Sequence, residues 1–268
     1  MLAVRVASLS IVIQRSSSAR TGVRMFASAN TAMPLKQLGN DDGNGGDGIV
    51  LVPEDGSYDN VVIMMHGLGD TAYGWAPAMP ALKLPRVKYV LPTAPTRPIA
   101  LNGGMAMPGW FDIYGLEPSS PEDKEGFDEA SARIEALIEI EEEHHGIPSS
   151  RVAVCGFSQG GAVALHVALR YAKPLAACVS MSSWLPLRDD YPRAFSEHAK
   201  GLPVLQCHGD ADPVVPWAWG RGSYDLLMGD ELALSTVTWR DYPGMQHSAC
   251  NEEIDDVAEF LSQHFSSH

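Results

Sequence analysis

The chain has 268 residues, 45% of them apolar, and a formal net charge of −14. That length holds one large domain with a short appendage. The charge repels phosphate backbones and anionic headgroups, which excludes nucleic acid as a partner and leaves peripheral contact as the most a membrane can offer.

The first forty residues carry Arg5, Arg15, Arg20, Arg24 and Lys36, with no acid before Asp41, and they are rich in Ser and Ala. This fits an organellar transit peptide. The alternatives are an unstructured tail or a leader from an upstream start codon, with Met25 and Met33 as later starts. The segment NDDGNGGDG, residues 40–48, reads as a flexible linker. Residues 1–48 are therefore expected to be a disordered leader and linker, and 49–268 the folded domain.

From there, short apolar runs alternate with longer amphipathic ones. NVVIMMH (60–66), VKYVL (87–91), RVAVCGF (151–157), LAACVSMS (175–182), PVLQCH (203–208) and STVTWRDY (235–242) read as strands, the first apolar on both faces. Residues 125–145 place Phe127, Ala130, Ile134, Leu137, Ile138 and Glu141 along one stripe, predicting a core-facing helix that ends at Gly146. Its acidic run, 139–143, reads as a solvated face, and His144 and His145 as surface residues. Further helices are expected over 159–172 and 250–265. Strand and helix alternating over about 220 residues predict an α/β domain with a mostly parallel sheet covered on both faces. The cysteines Cys155, Cys178, Cys207 and Cys250 lie far apart with no C-x-x-C pair, which argues against a zinc site and a disulfide framework and predicts reduced, buried thiols.

The chemistry concentrates at GFSQG, residues 156–160. This is a G-x-S-x-G between a buried strand and a helix, the context in which the motif denotes a nucleophilic serine. A turn sharp enough to lift Ser158 above the sheet strains its backbone. Gly156 and Gly160 remove the collisions, and Gly161 lets the helix pack closely. A plain helix N-cap would leave the flanking glycines unexplained.

A serine hydroxyl needs an imidazole to take its proton and a carboxylate to orient that imidazole. The chain order Ser–acid–His leaves His247, His264 and His268 as bases. His247 lies in the loop between the last strand and the last helix, at the same strand-end face as Ser158. HGDADPVVP offers Asp210 and Asp212, and spacing does not choose between them; one would orient the ring and the other cap the turn. The oxyanion hole would use the amides of Gln159 and of Leu68 in HGLGD, where Gly67 lets the backbone approach substrate. His66 reads as a hydrogen-bonded structural residue.

HGLGD, LNGGMAMPGWFDIYGL, GFSQGG, SSWLPLR, CHGDADPVVP and GMQHSAC, in this order between about residues 58 and 265, together resemble the acyl-protein thioesterase family of α/β-hydrolases, which includes small carboxylesterases and lysophospholipases. The resemblance implies the α/β-hydrolase fold, Ser158, Asp212 and His247 as catalytic residues, and an acyl site bordered by Met107, Trp110, Trp184 and Leu187. It implies hydrolysis of fatty-acyl thioesters on protein cysteines or of small acyl esters. It further implies no metal or cofactor, a monomer or weak homodimer, and a cytoplasmic location, the basic leader being the argument for an organelle instead. No Cys precedes Cys155, so tethering through an acylated N-terminal cysteine is not expected.

Overall fold

The computed structural model describes residues 32–115, 117 and 119–265, so residues 1–31 of the basic leader lie outside the described residues. The predicted strands are present as β3 (Asn60–Met65), β4 (Val87–Pro92), β7 (Val152–Phe157), β8 (Ala177–Met181), β9 (Val204–Gly209) and β10 (Val237–Tyr242). They share one sheet with β1 (Leu35–Asp41) and β2 (Asp47–Pro53), in the order β1-β2-β4-β3-β7-β8-β9-β10. Pairing is parallel from β4 through to β10 and antiparallel for β1 with β2 and β2 with β4. A separate hairpin joins β5 (Thr96–Ile99) to β6 (Met105–Pro108).

β3 shows why the sheet needs cover on both sides. Val61, Ile63 and Met65 enter one core cluster, and Val62 and Met64 enter the other. The first cluster is completed by α2 (Lys124–His145), α3 (Gln159–Arg170) and α4 (Trp217–Met228), through Phe127, Ile134, Val163 and Leu227. The second is completed by α1 (Ala72–Trp75), the 3-10 turn after it, and α5 (Asn251–Phe265), through Trp75, Met79, Val257 and Leu261. Each such side chain withdrawn from water contributes roughly 1.5–3 kcal/mol before conformational entropy is charged against it.

Two sequence expectations change here. Residues 40–48 are not a linker: they close the hairpin between β1 and β2, whose register runs from Leu35 opposite Pro53 to Asp41 opposite Asp47. Asp42 is buried and its Oδ1 accepts the Asn44 and Gly46 amides, while Gly43 and Gly45 take φ of 87° and 75°. Gly, Asn and Asp loosen a chain, and they are also the residues that a tight turn requires. The sheet therefore starts at Leu35, ahead of the expected boundary at Ile49. The second change is in α2. Its predicted stripe is buried as expected and Gly146 caps it at φ 69°, but the acidic run is not all solvated. Glu141 is buried and pairs with Lys88 of β4 at 2.6 Å.

Candidate active site

The parallel strands deliver their loops to one edge, where α/β sheets build sites. At the end of β7 the chain turns at Ser158, with φ 54° and ψ −120°, directly into α3. The Ser158 amide donates to the Met181 carbonyl at 2.8 Å, and the Ser158 carbonyl accepts from Gly161, Ala162 and the Ser183 hydroxyl. These bonds hold a backbone conformation that costs on the order of 1–3 kcal/mol. The glycines act sterically. A Cβ on Gly156 would collide with the Gly160 carbonyl, and one on Gly160 with the Met65 carbonyl. Ser158 makes no side-chain capping bond to α3, so the N-cap alternative fails.

Its hydroxyl faces His247 instead. Ser158 Oγ donates to His247 Nε2 at 2.9 Å, and His247 Nδ1 donates to Asp212 Oδ2 at 2.7 Å. All three residues are buried. Of the two aspartates that spacing left open, the structure brings Asp212 to the ring. Asp212 carries the ring contact and its Oδ1 accepts the Val214 and Val215 amides, whereas Asp210 accepts the Gly244 amide beyond β10. His208 closes the same loop from below, with Nε2 donating to the Val215 carbonyl at 2.9 Å. Burial lowers its pKa, which keeps the ring neutral.

Leu68 and Gln159 line the same cavity as Ser158, and no backbone acceptor for either N–H is found among the described residues. A Cβ on Gly67 would come within 3.3 Å of the Ser158 Cβ, so this glycine sets how closely the 66–70 loop approaches the serine. His66 is buried, and burial pushes its pKa down to about 4.

Ser158 and His247 open into a cavity of about 770 Å³. Gly67, Trp184 and Leu187 line it, as expected. Met107 and Trp110 do not. The Met107 sulfur packs beside Asn102 and Gly69, and Trp110 is fully buried behind the serine turn. Trp110 Nε1 donates to the His66 carbonyl and its amide to Gln159 Oε1, so the ring props the site and does not border it. Sequence reasoning missed the walls that Phe111, Phe127, Val214 and Trp219 supply. Val214 stands in a quoted motif, but nothing in DPVVP distinguishes a cavity-facing valine from a core one. No group of three or more His, Cys, Asp or Glu that could hold a metal ion occurs among the described residues.

A serine, a histidine and an aspartate hydrogen-bonded in line at the carboxyl edge of a mostly parallel sheet define an α/β-hydrolase. Residues 47–265 match the family model described as Phospholipase/Carboxylesterase. The chain belongs to that family, and its sequence relatives place it among the acyl-protein thioesterases. It is 41% identical over 217 residues to acyl-protein thioesterase 1 of Cryptococcus neoformans, covering 75% of this chain and 91% of that protein. It is also 41% identical over 230 residues to the Mycosarcoma maydis acyl-protein thioesterase 1, covering 80% and 95%. The crystal structure of Zea mays acyl-protein thioesterase 2 matches with a TM-score of 0.73 at 31% identity, covering 81% of this chain and 97% of that one.

Proposed function

We infer that this hydrolase cleaves fatty-acyl thioesters from protein cysteines, with Ser158 as nucleophile, His247 as general base and then acid, and Asp212 as the orienting carboxylate. The observation that carries the reading is the continuous Ser158–His247–Asp212 line, at 2.9 and 2.7 Å, opening onto an apolar-walled cavity large enough for an acyl chain. Ser158 Oγ attacks the acyl carbonyl and His247 Nε2 takes its proton. The negative charge that develops on the carbonyl oxygen is met by the Leu68 and Gln159 amides, each worth about 3 kcal/mol of transition-state stabilisation. The N-terminus of α3 adds a favourable dipole at the same point. The cysteine leaving group, with a reference pKa near 8.5, departs with less help from the acid than an alkoxide needs. Water activated by His247 then attacks the acyl-serine and frees the fatty acid.

The triad acts equally on oxyesters, so the test compares substrates directly. A palmitoyl-cysteine peptide, a p-nitrophenyl ester and a lysophospholipid are assayed with wild type and Ser158→Ala, alongside labelling by a fluorophosphonate probe. The reading expects labelling and turnover that both vanish in Ser158→Ala, with kcat/KM highest on the peptide. Preference for the lysophospholipid would make this a lipid esterase, and turnover surviving in Ser158→Ala would end the serine mechanism.

A further inference from the structure

We propose that His66 is a positioning residue that aims the Leu68 amide at the transition state by holding the Gly67 carbonyl on the opposite side of the shared peptide. The inference rests on the serine-hydrolase reading and on Leu68 as an oxyanion donor. His66 Nε2 accepts the Ala94 amide at 2.9 Å, so that nitrogen carries the lone pair. The ring proton must then sit on Nδ1, which donates to the Gly67 carbonyl at 2.7 Å. The Gly67 carbonyl and the Leu68 N–H belong to one planar trans peptide and point in opposite directions. Drawing the carbonyl toward the buried ring therefore turns the N–H outward. The peptide's location is fixed independently, because the missing Cβ of Gly67 lies against Ser158.

Other contacts tie this loop to the second donor. Trp110 Nε1 donates to the His66 carbonyl at 2.9 Å, and the Gln159 side chain clamps the same segment through the Trp110 amide at 2.8 Å and the Phe111 carbonyl at 2.6 Å. One buried network thus spans both amides of the oxyanion hole. The Asp70 amide also reaches the Gly67 carbonyl, at 3.2 Å, so loss of His66 weakens the restraint without abolishing it.

Two substitutions separate orientation from packing. His66→Asn keeps a donor near the Nδ1 position, and His66→Gln keeps an acceptor near Nε2 but loses the donor to Gly67. With p-nitrophenyl octanoate, His66→Gln is expected to lower kcat by about ten- to a hundredfold with KM within about twofold, since an oxyanion donor acts in the transition state. His66→Asn is expected to stay within about fivefold of wild type. Wild-type kcat in His66→Gln, equal impairment of both variants, or a loss confined to KM overturns the proposal. Nitrogen-15 NMR of the wild-type imidazoles tests it without any variant: His66 is expected as the Nδ1–H tautomer, and an Nε2–H tautomer overturns it. Ser158→Ala is assayed in parallel. If it is inactive while His66→Gln is fully active, the inference alone fails; if it retains turnover, the reading beneath the inference fails with it.

Discussion

Asp212 divides its two oxygens between two tasks. Oδ1 takes the Val214 and Val215 amides and so shapes its own loop, and Oδ2 takes the His247 ring. Asp212→Asn preserves the first task and inverts the second, because the amide nitrogen then faces Nδ1 as a donor and forces the ring into the wrong tautomer. We expect kcat to fall by roughly 10⁴-fold, with the circular-dichroism melting temperature within a few degrees of wild type. A fall in melting temperature matching the fall in activity would mean that the loop, and not the tautomer, had been lost. The meeting of Ser158, His247 and the 66–70 loop was legible in the sequence because a strained turn demands glycines at fixed offsets and the hydrolase chain order restricts the base. Trp110 and Met107 were not legible in this way. An apolar stretch does not say which side chains face a cavity, and the bonds that turn Trp110 inward come from His66 and Gln159, both more than 40 positions away.

At the scale of elements, β4 and α2 are joined by the buried Lys88–Glu141 pair, whose side chains are 4% and 3% exposed. Breaking one partner of a buried ion pair leaves a charge without compensation and typically costs about 3–5 kcal/mol, while replacing both with apolar residues is often neutral. Lys88→Met should therefore destabilise the protein by that order in urea titration, and Lys88→Met with Glu141→Leu should recover most of the loss. A double variant as weak as the single would show that the pair adds net stability. The partners lie 53 positions apart, which is why the acidic run read as solvated. The elements that sequence reasoning missed have separate causes, and β2, buried along Gly48–Pro53, was passed over because the Gly/Asp/Asn cluster before it read as a linker ending at residue 48. β1 is exposed along most of its length and owes its form to pairing with β2. The β5–β6 hairpin carries Pro98 and Pro108 within its strands, and α4 holds Gly220 and Gly222, residues that depress strand and helix signals alike. Five of the six strands that were legible, β3, β4 and β7–β9, are buried along their whole length, where a continuous apolar run is the direct requirement of their position; β10 was read from its β-branched and aromatic residues although it is only partly covered.

For the whole molecule, buried ionisable groups away from the site set how stability varies with pH. Glu253 is fully buried; burial raises its pKa to about 8, opposed by the Cys250 backbone and reinforced by Asp256. The folded chain thus keeps a proton that the unfolded chain releases above the ordinary value of 4.5, so stability falls as pH rises from there toward 8. His66 and His166 work in the other direction. Burial holds their pKa values at about 4 and about 3, against an ordinary 6.5, so their contribution is complete above pH 6.5 and is lost as pH falls through the acid range. Wild type should melt highest at intermediate pH. Glu253→Gln should gain melting temperature over wild type progressively between pH 5 and pH 8 in scanning calorimetry; an offset that does not change with pH would mean that Glu253 is already ionised in the fold.

The four cysteines, all free and buried, bear on the fate of the acyl group. Burial pushes the Cys155 thiol up to about 12 and raises the other three as well. Sulfur nucleophilicity resides in the thiolate, so at neutral pH no sulfur of this chain competes with water for the acyl-serine or receives a palmitate by exchange. Turnover should accordingly be indifferent to iodoacetamide, and the protein should emerge from long incubation with its substrates carrying no fatty acid on sulfur.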